Sequence, residues 1–245
     1  MSLKPIFLRT KGLKSVPTIY CPGCGHGIAH RLLAETILEL QVRERTIAVA
    51  PVGCAVYAYD YWNFDTTEAA HGRTPAVATA IKRVRPECVV ISYQGDGDLA
   101  SIGLAEIMHT ANRGEKISVI FINNTNYGMT GGQMAPTTII EQKTATTPYG
   151  RKASDTGYPL KIAELLATLP GVAYAARGSL HKVGTIKKAK EYIRKALDIQ
   201  LAGKGFSIVE LLSICPPNWG LTPLQAIARL EKEILPEFPL GTFKE

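Results

Sequence analysis

Two short oxygen-rich runs and a scatter of thiols hold the chemistry that this sequence can do. Gly95-Asp96-Gly97-Asp98 follows the apolar run Val89 to Tyr93 and precedes a helical stretch that begins near Leu99. Glycines at such a turn let the backbone approach a phosphate, and the first turn of a helix offers it unpaired N–H donors. A diphosphate also calls for a hard cation held by oxygen, and Asp96 is a ligand suited to magnesium. Asn123-Asn124-Thr125-Asn126-Tyr127-Gly128 forms a second polar cluster behind another apolar run, with the 25 residues from Asp98 to Ile122 in between. That interval holds one helix and one strand, so adjacent parallel strands would set Asp96 beside Asn124 at one sheet edge. Ordinary strand-end turns are the plainer alternative, since Gly, Asp and Asn are common turn residues. The spacing, and the strand before each run, argue against it.

The thiols pose a second question. Cys21-Pro22-Gly23-Cys24-Gly25 sets two of them on a tight turn, a geometry common to zinc knuckles and iron–sulfur sites. No second C-x-x-C or H-x-H pair follows to complete a structural zinc site. Cys54 and Cys215 each lie just after an apolar run, in turns where Gly or Pro could aim them at a common point. Cys88 begins a strand-like run and reads as a core residue. Four cysteines remain, enough for a [4Fe–4S] cluster. Five cysteines in all is an odd count, and a disulfide framework explains it poorly.

The elements that must position these groups are legible as a pattern. Apolar runs at Thr46 to Pro51, Cys88 to Tyr93, Ile117 to Ile122, Val172 to Ala176 and Phe206 to Leu212 suit strands buried on both faces. Helical periods lie between them, as in Ala29, Leu33, Ile37 and Leu40, or Leu104, Ile107, Met108 and Ala111. Such alternation predicts an α/β fold with a doubly wound, mostly parallel sheet, as one domain over residues 1–245. From about Asn124 to Pro159 no period persists, and the position after a strand favours a loop that covers a cofactor.

Composition narrows the class. Apolar residues make up 46% and charged residues 20%, ordinary for a soluble globular protein. No apolar run is long enough for a membrane helix, so no membrane partner and a cytoplasmic location are expected. The net charge of +7 is concentrated at Lys182, Lys187, Lys188, Lys190, Arg194, Lys195 and Lys204. A solvated helix face is the plain reading of that run; an acidic protein partner, an anionic substrate or nucleic acid are the others.

GDG followed at this spacing by NN resembles the diphosphate-binding motif of thiamine diphosphate enzymes. The resemblance places side-chain magnesium ligands at Asp96 and Asn124 and a carbonyl ligand at Asn126. CPGCGHG at the N-terminal turn, VGC at Val52 to Cys54, HGR-x-P-x-VAT from His71, NN-x-x-YGMTGGQ and the late CPP together resemble the β subunit of 2-oxoacid:ferredoxin oxidoreductases. The likeness runs from about Cys21 to Trp219. It implies the thiamine diphosphate-binding (diphosphate-domain) fold with an N-terminal cluster-ligating segment. Cluster ligands then fall on Cys21, Cys24, Cys54 and Cys215, and cofactor contacts on Val52, Gly53, Cys54, Ala55, Thr79, Gly97, Asp98, Gly128 and Met129. His71 and Arg73 would face the cofactor or an anionic substrate, or else be structural. His26 could contact phosphate, and His30 reads as a helix-face residue.

By the same resemblance the activating Glu sits on an α-type pyrimidine-domain subunit. Further γ and ferredoxin-like δ subunits, external ferredoxin, a 2-oxoacid and coenzyme A complete the system, and no nucleic acid is expected. The run Ala55 to Trp62 has no Lys or Arg to pair a second carboxylate, which favours a branched-chain substrate such as 2-oxoisovalerate, or an aromatic one, over 2-oxoglutarate, unless Arg73 or a partner residue supplies the charge. A cluster-free thiamine decarboxylase subunit and a basic zinc-binding nucleic-acid module are the competing readings.

Overall fold

Runs of Val, Ile and Ala without polar alternation must be covered on both faces, and they form the middle of a single sheet. A computed structural model describes residues 8–245. The first seven residues of the domain expected over 1–245 lie outside the described ones. Strands β1 (Thr46–Pro51), β2 (Asp65–Ala69), β3 (Val89–Gly95) and β4 (Ser118–Asn123) come first. A short hairpin, β5 (Asn126–Tyr127) and β6 (Gln133–Met134), precedes β7 (Val172–Ser179), β8 (Phe206–Leu212) and β9 (Gly241–Lys244). The seven-stranded sheet runs β2-β1-β3-β4-β8-β7-β9. Its pairs are parallel except β7 with β9, as the alternating pattern predicts.

Helices cover both faces. They are α1 (His26–Glu39), α2 (Ala58–Tyr61), α3 (Thr74–Val84), α4 (Leu104–Asn112) and α5 (Ala153–Thr156), then α6 (Ile162–Ala167) and α7 (Val183–Leu201). The chain ends with α8 (Pro216–Trp219), α9 (Pro223–Arg229) and α10 (Leu235–Glu237) before β9. Leu33 and Ile37 of α1 and Ile193 and Leu197 of α7 pack on Ile91, Ile120 and Val209 of the sheet. On the other face Ala78 of α3, Ile107 of α4 and Leu166 of α6 meet Val90, Val119 and Phe121. This is the doubly wound arrangement that a parallel sheet requires.

From β1 the chain turns outward to β2 and then returns to β3 on the other side of β1. In open α/β sheets such a reversal leaves a crevice at the carboxyl ends of the strands. β1, β3, β4 and β8 are consecutive neighbours, and each feeds directly into a turn bearing Cys54, Asp96, Asn124 or Cys215. Sheet order thus gathers residues that lie far apart in the chain.

The basic run on and around α7 is largely neutralised within the chain. Lys190 pairs with Glu35 and Glu39, Lys182 with Glu231, Lys188 with Glu191 and Lys195 with Glu245, at 2.6–2.8 Å. The solvated-face reading fits this, since a nucleic-acid site would present unpaired cations. Among the described residues no helix is long and apolar enough to cross a membrane.

Candidate cofactor and cluster site

Asp96 emerges from β3 almost fully buried, at 2% exposure. Its Oδ1 accepts the Gly97 N–H at 2.9 Å, and Oδ2 accepts the Asn126 N–H at 3.1 Å and the Thr137 hydroxyl at 2.8 Å. Asn124 Oδ1 shares the Asn126 N–H at 3.3 Å, so the two motif runs meet as their spacing predicts. Burial pushes the Asp96 carboxyl up to about 7, while the Thr137 and backbone donors pull it back. A carboxylate and amide oxygens in so buried a setting are the donors a hard cation takes, and magnesium fits them.

A cavity of about 80 Å³ opens beside these groups. Val52, Gly53, Cys54, Ala55, Gly97, Asp98, Gly128 and Met129 all line it, along with Asp96, Asn124, Asn126, His26 and His71. At Gly97 a Cβ would run into the ring of Tyr127, so only glycine leaves the backbone open to an approaching group. The chain from Asp98 to Ile102 forms a π-helical turn, a distortion frequent at functional sites.

Asp98 lines the cavity, yet its carboxylate is committed elsewhere. It accepts the Gly72 N–H at 2.6 Å, Gln94 Nε2 at 2.5 Å and Nδ1 of His71. The pairing fixes the His71 ring at the cavity wall, so the side chain of Asp98 acts on the site through His71. Two residues named from sequence are not brought here. Arg73 pairs with Glu106 and is absent from the lining. Thr79 sits buried on α3, outside the lining, with a hydroxyl that has no hydrogen-bond partner among the described residues.

Cys21, Cys24, Cys54 and Cys215 line one neighbouring cavity of about 250 Å³. Gly23 bends the first pair at φ +84°, and the Cys24 N–H closes the turn on the Cys21 carbonyl at 3.0 Å. The Gly25 N–H is tied to Ser213 Oγ at 3.1 Å, which fastens the N-terminal turn to the end of β8. Tyr20 donates its hydroxyl to the Cys54 carbonyl at 2.9 Å. Cys88 is buried just before the opposite, N-terminal end of β3, as its reading as a core residue requires.

The sulfurs surround space instead of converging on a point. Among the described residues no three His, Cys, Asp or Glu groups close to single-metal distance. Zinc holds its sulfurs about 2.3 Å from one ion, whereas a four-iron cluster attaches each thiolate to a different iron. The donor set therefore fits the cluster. A Cβ at Gly128 would stand 3.2 Å from the Cys54 sulfur and 4.0 Å from that of Cys215, within the space that the thiols frame. Burial, then the neighbouring thiols, push Cys54 up to about 11, and Cys24 rises to about 12 through burial. Thiols in such a setting favour a ligand that brings positive charge.

The two cavities share a wall. His26, Cys54, Asn124, Gly128 and Met129 line both. His26 Nδ1 lies 2.7 Å from the Tyr93 hydroxyl, and burial lowers its pKa to about 4, so the ring is neutral near pH 7. His30 belongs to the same aromatic nest, with ring centroids 4.8 Å from Trp62 and 5.1 Å from Tyr93.

Sequence reasoning missed three residues. Thr137 reaches Asp96 from inside the long loop. Arg151 ties that loop together by donating to the carbonyls of Pro136, Thr138, Thr156, Gly157 and Tyr158. Asn218 bridges the Gly128 carbonyl and the Cys215 sulfur at 2.8 and 3.4 Å. Only Asn218 had a local signal, as it stands three residues after Cys215.

Residues 50–211 match the family described as thiamine pyrophosphate enzyme, C-terminal TPP binding domain. The chain is also 35% identical, over 92% of its length, to 2-oxoglutarate synthase subunit KorB of Archaeoglobus fulgidus, covering 79% of that protein. It belongs to the thiamine diphosphate-binding subunits of the 2-oxoacid:ferredoxin oxidoreductases. Within this oxidoreductase family it is 50% identical to ketoisovalerate oxidoreductase subunit VorA of Methanothermobacter marburgensis, over all of the chain and 51% of that protein. The VorA of Methanothermobacter thermautotrophicus is 49% identical, with the same coverage. The chain thus spans about half the length of these two relatives. A solved 2-oxoglutarate:ferredoxin oxidoreductase from Magnetococcus marinus superposes with a TM-score of 0.75 at 28% identity, covering 86% of this chain and 69% of that one.

Proposed function

We propose that this chain is the β-type subunit that binds thiamine diphosphate, magnesium and a [4Fe–4S] cluster in a 2-oxoacid:ferredoxin oxidoreductase. The complex would decarboxylate a 2-oxoacid oxidatively to acyl-coenzyme A and carbon dioxide while reducing ferredoxin. One observation carries this reading: the oxygen-lined cavity and the thiol-lined cavity share the wall made by His26, Cys54, Asn124, Gly128 and Met129. Such adjacency suits a cofactor that must pass electrons to a cluster.

Asp96 and Asn124 would hold magnesium by side chain and Asn126 by its carbonyl, with Gly97, Gly128, Met129 and the turn from Val52 to Ala55 against the cofactor. Cys21, Cys24, Cys54 and Cys215 would hold the cluster. Bound thiamine diphosphate supplies the electron sink for loss of carbon dioxide. The residues of this chain bind and orient it: Asp98 fixes His71 at the wall, and Thr137 with the Gly97 N–H fixes both oxygens of Asp96. Val52 and Met129, 42% and 41% exposed, make an apolar rim to the cavity that an α-type partner would cover to exclude water. The γ, δ and ferredoxin partners belong to the same reading.

A branched-chain 2-oxoacid is the substrate class we assign. Among the described residues neither lining contains a Lys or Arg to receive a second carboxylate. The relatives at 49–50% identity are named ketoisovalerate oxidoreductases, whereas those named 2-oxoglutarate synthase, such as the KorB above at 35%, are less similar. The test is kcat/KM of the anaerobically assembled complex for 2-oxoisovalerate against 2-oxoglutarate, with coenzyme A and a viologen acceptor. Preference for 2-oxoisovalerate is expected, and preference for 2-oxoglutarate would refute the substrate class.

A further inference from the structure

Side-chain amides gather at one of the four thiols. Asn218 Nδ2 lies 3.4 Å and Asn126 Nδ2 3.7 Å from the sulfur of Cys215.

Neither amide is free to turn away. Asn126 Oδ1 accepts the indole N–H of Trp219 at 3.1 Å, which orients the NH₂ end toward sulfur. Asn218 Nδ2 donates its other N–H to the Gly128 carbonyl at 2.8 Å, so one NH₂ group serves a carbonyl and a thiol at once. The backbone packs closely around it as well: a Cβ at Gly132 would stand 2.9 Å from the Asn218 Cβ.

Hydrogen bonds to cluster sulfurs stabilise the reduced, more negative state and raise the reduction potential. We propose that Asn218, together with Asn126, sets the potential of the cluster on this chain through N–H···S bonds to Cys215. The inference rests on the cluster assignment of the proposed function. The step it would govern is one-electron reduction of the cluster, with the electron drawn from the 2-oxoacid oxidised in the proposed function and no covalent bond formed or broken at the cluster. Asn218 is a positioning residue here, since it acts on the cluster through the Cys215 thiolate. Because the same amide grips the Gly128 carbonyl, it ties the wall between the cavities to the sulfur whose charge it offsets.

The test is an EPR-monitored redox titration of the anaerobically assembled complex carrying Asn218→Leu or Asn218→Asp. Leu removes both N–H groups without adding charge; Asp keeps the shape but places a negative charge by the sulfur. Iron content should match wild type, with the midpoint potential lowered in the Leu variant and lowered further in the Asp variant. A wild-type potential in Asn218→Leu at full iron content would overturn the proposal. A second measurement does not depend on either variant folding: pulsed EPR of the reduced wild-type cluster, with asparagine labelled by nitrogen-15 at the side-chain amide. Coupling to that nitrogen is expected, and its absence would overturn the proposal. A wild-type complex without iron would instead refute the cluster assignment, and this inference with it.

Discussion

The backbone N–H of Asn126 donates to Oδ2 of Asp96 at 3.1 Å, joining two turns that stand 30 residues apart. On the proposed assignment the two runs would act as one cation site, and losing either should remove it. Asp96→Asn and Asn124→Ala, in the assembled complex, are expected to lose magnesium-dependent affinity for thiamine diphosphate. The loss should exceed the roughly 10–100-fold that removal of an outer-shell partner costs. Asn is the better replacement at 96. Ala would leave the Gly97 N–H and the Thr137 hydroxyl unpaired, at about 1–3 kcal/mol for each buried group. Calorimetric titration giving wild-type affinity in both variants would remove the metal assignment.

The cysteine assignments separate cleanly by location. Serine at Cys21, Cys24, Cys54 or Cys215 should lower the iron content and bleach the visible absorption, since thiolate is the cluster's ligand. Cys88→Ser should keep both, because Cys88 lies beyond the far end of β3. Gly128→Ala tests the space itself: its methyl would enter between Cys54 and Cys215 and should depress iron loading with all ligands intact. Full iron in both Cys215→Ser and Gly128→Ala would refute the shared cavity.

The strands around the site are legible because burial on both faces leaves an unmixed apolar run. β1 and β8 coincide with the runs at Thr46 to Pro51 and Phe206 to Leu212. β2 was invisible, since Asp65-Thr66-Thr67-Glu68-Ala69 is a mostly exposed edge strand that needs no apolar face. The motif halves could be paired from local spacing. The meeting of Cys54 with Cys215 depends on the sheet order β1-β3-β4-β8, which no local spacing encodes. The Thr137 contact with Asp96 was hidden for the same reason, because a loop returning over 41 residues follows no periodic rule. Thr79 was carried over from a family motif, and the helix that holds it turns it into the interior.

His30 gives the fold a dependence on pH. Burial lowers its pKa well below the ordinary value, and the neutral ring packs between Trp62 and Tyr93. As the pH falls below about 6.5 the unfolded chain gains this proton before the folded one does. The stability is complete above that pH and declines below it, by up to about 1.4 kcal/mol per pH unit for this group. Denaturant unfolding of wild type and His30→Phe between about pH 7.5 and 5 should give a shallower loss in the variant. Equal slopes would mean that His30 is protonated in the folded chain.

Thiamine chemistry needs an acid that hydrogen-bonds the aminopyrimidine ring, and among the described residues no Glu lines either cavity. The linings contain two acids, Asp96 and Asp98, and neither is available. Asp96 is held by Thr137, Gly97 and Asn126 in the proposed cation site, and Asp98 by His71, Gly72 and Gln94. On the reading proposed above, that acid lies outside the described residues, on an α-type partner across the apolar rim of Val52 and Met129. The isolated chain, loaded with cluster, magnesium and thiamine diphosphate, should show no 2-oxoacid-dependent reduction of a viologen dye under anaerobic conditions. Its rate should fall short of the complex by at least the roughly 10²–10⁴-fold that a missing proton-transfer group costs. Adding an α-type subunit should restore turnover, and replacing that subunit's activating Glu with Gln should abolish it again. Turnover by the isolated chain at the rate of the complex would require Asp96 or Asp98 to leave its partners and serve the ring, and would refute the division of the site between two chains.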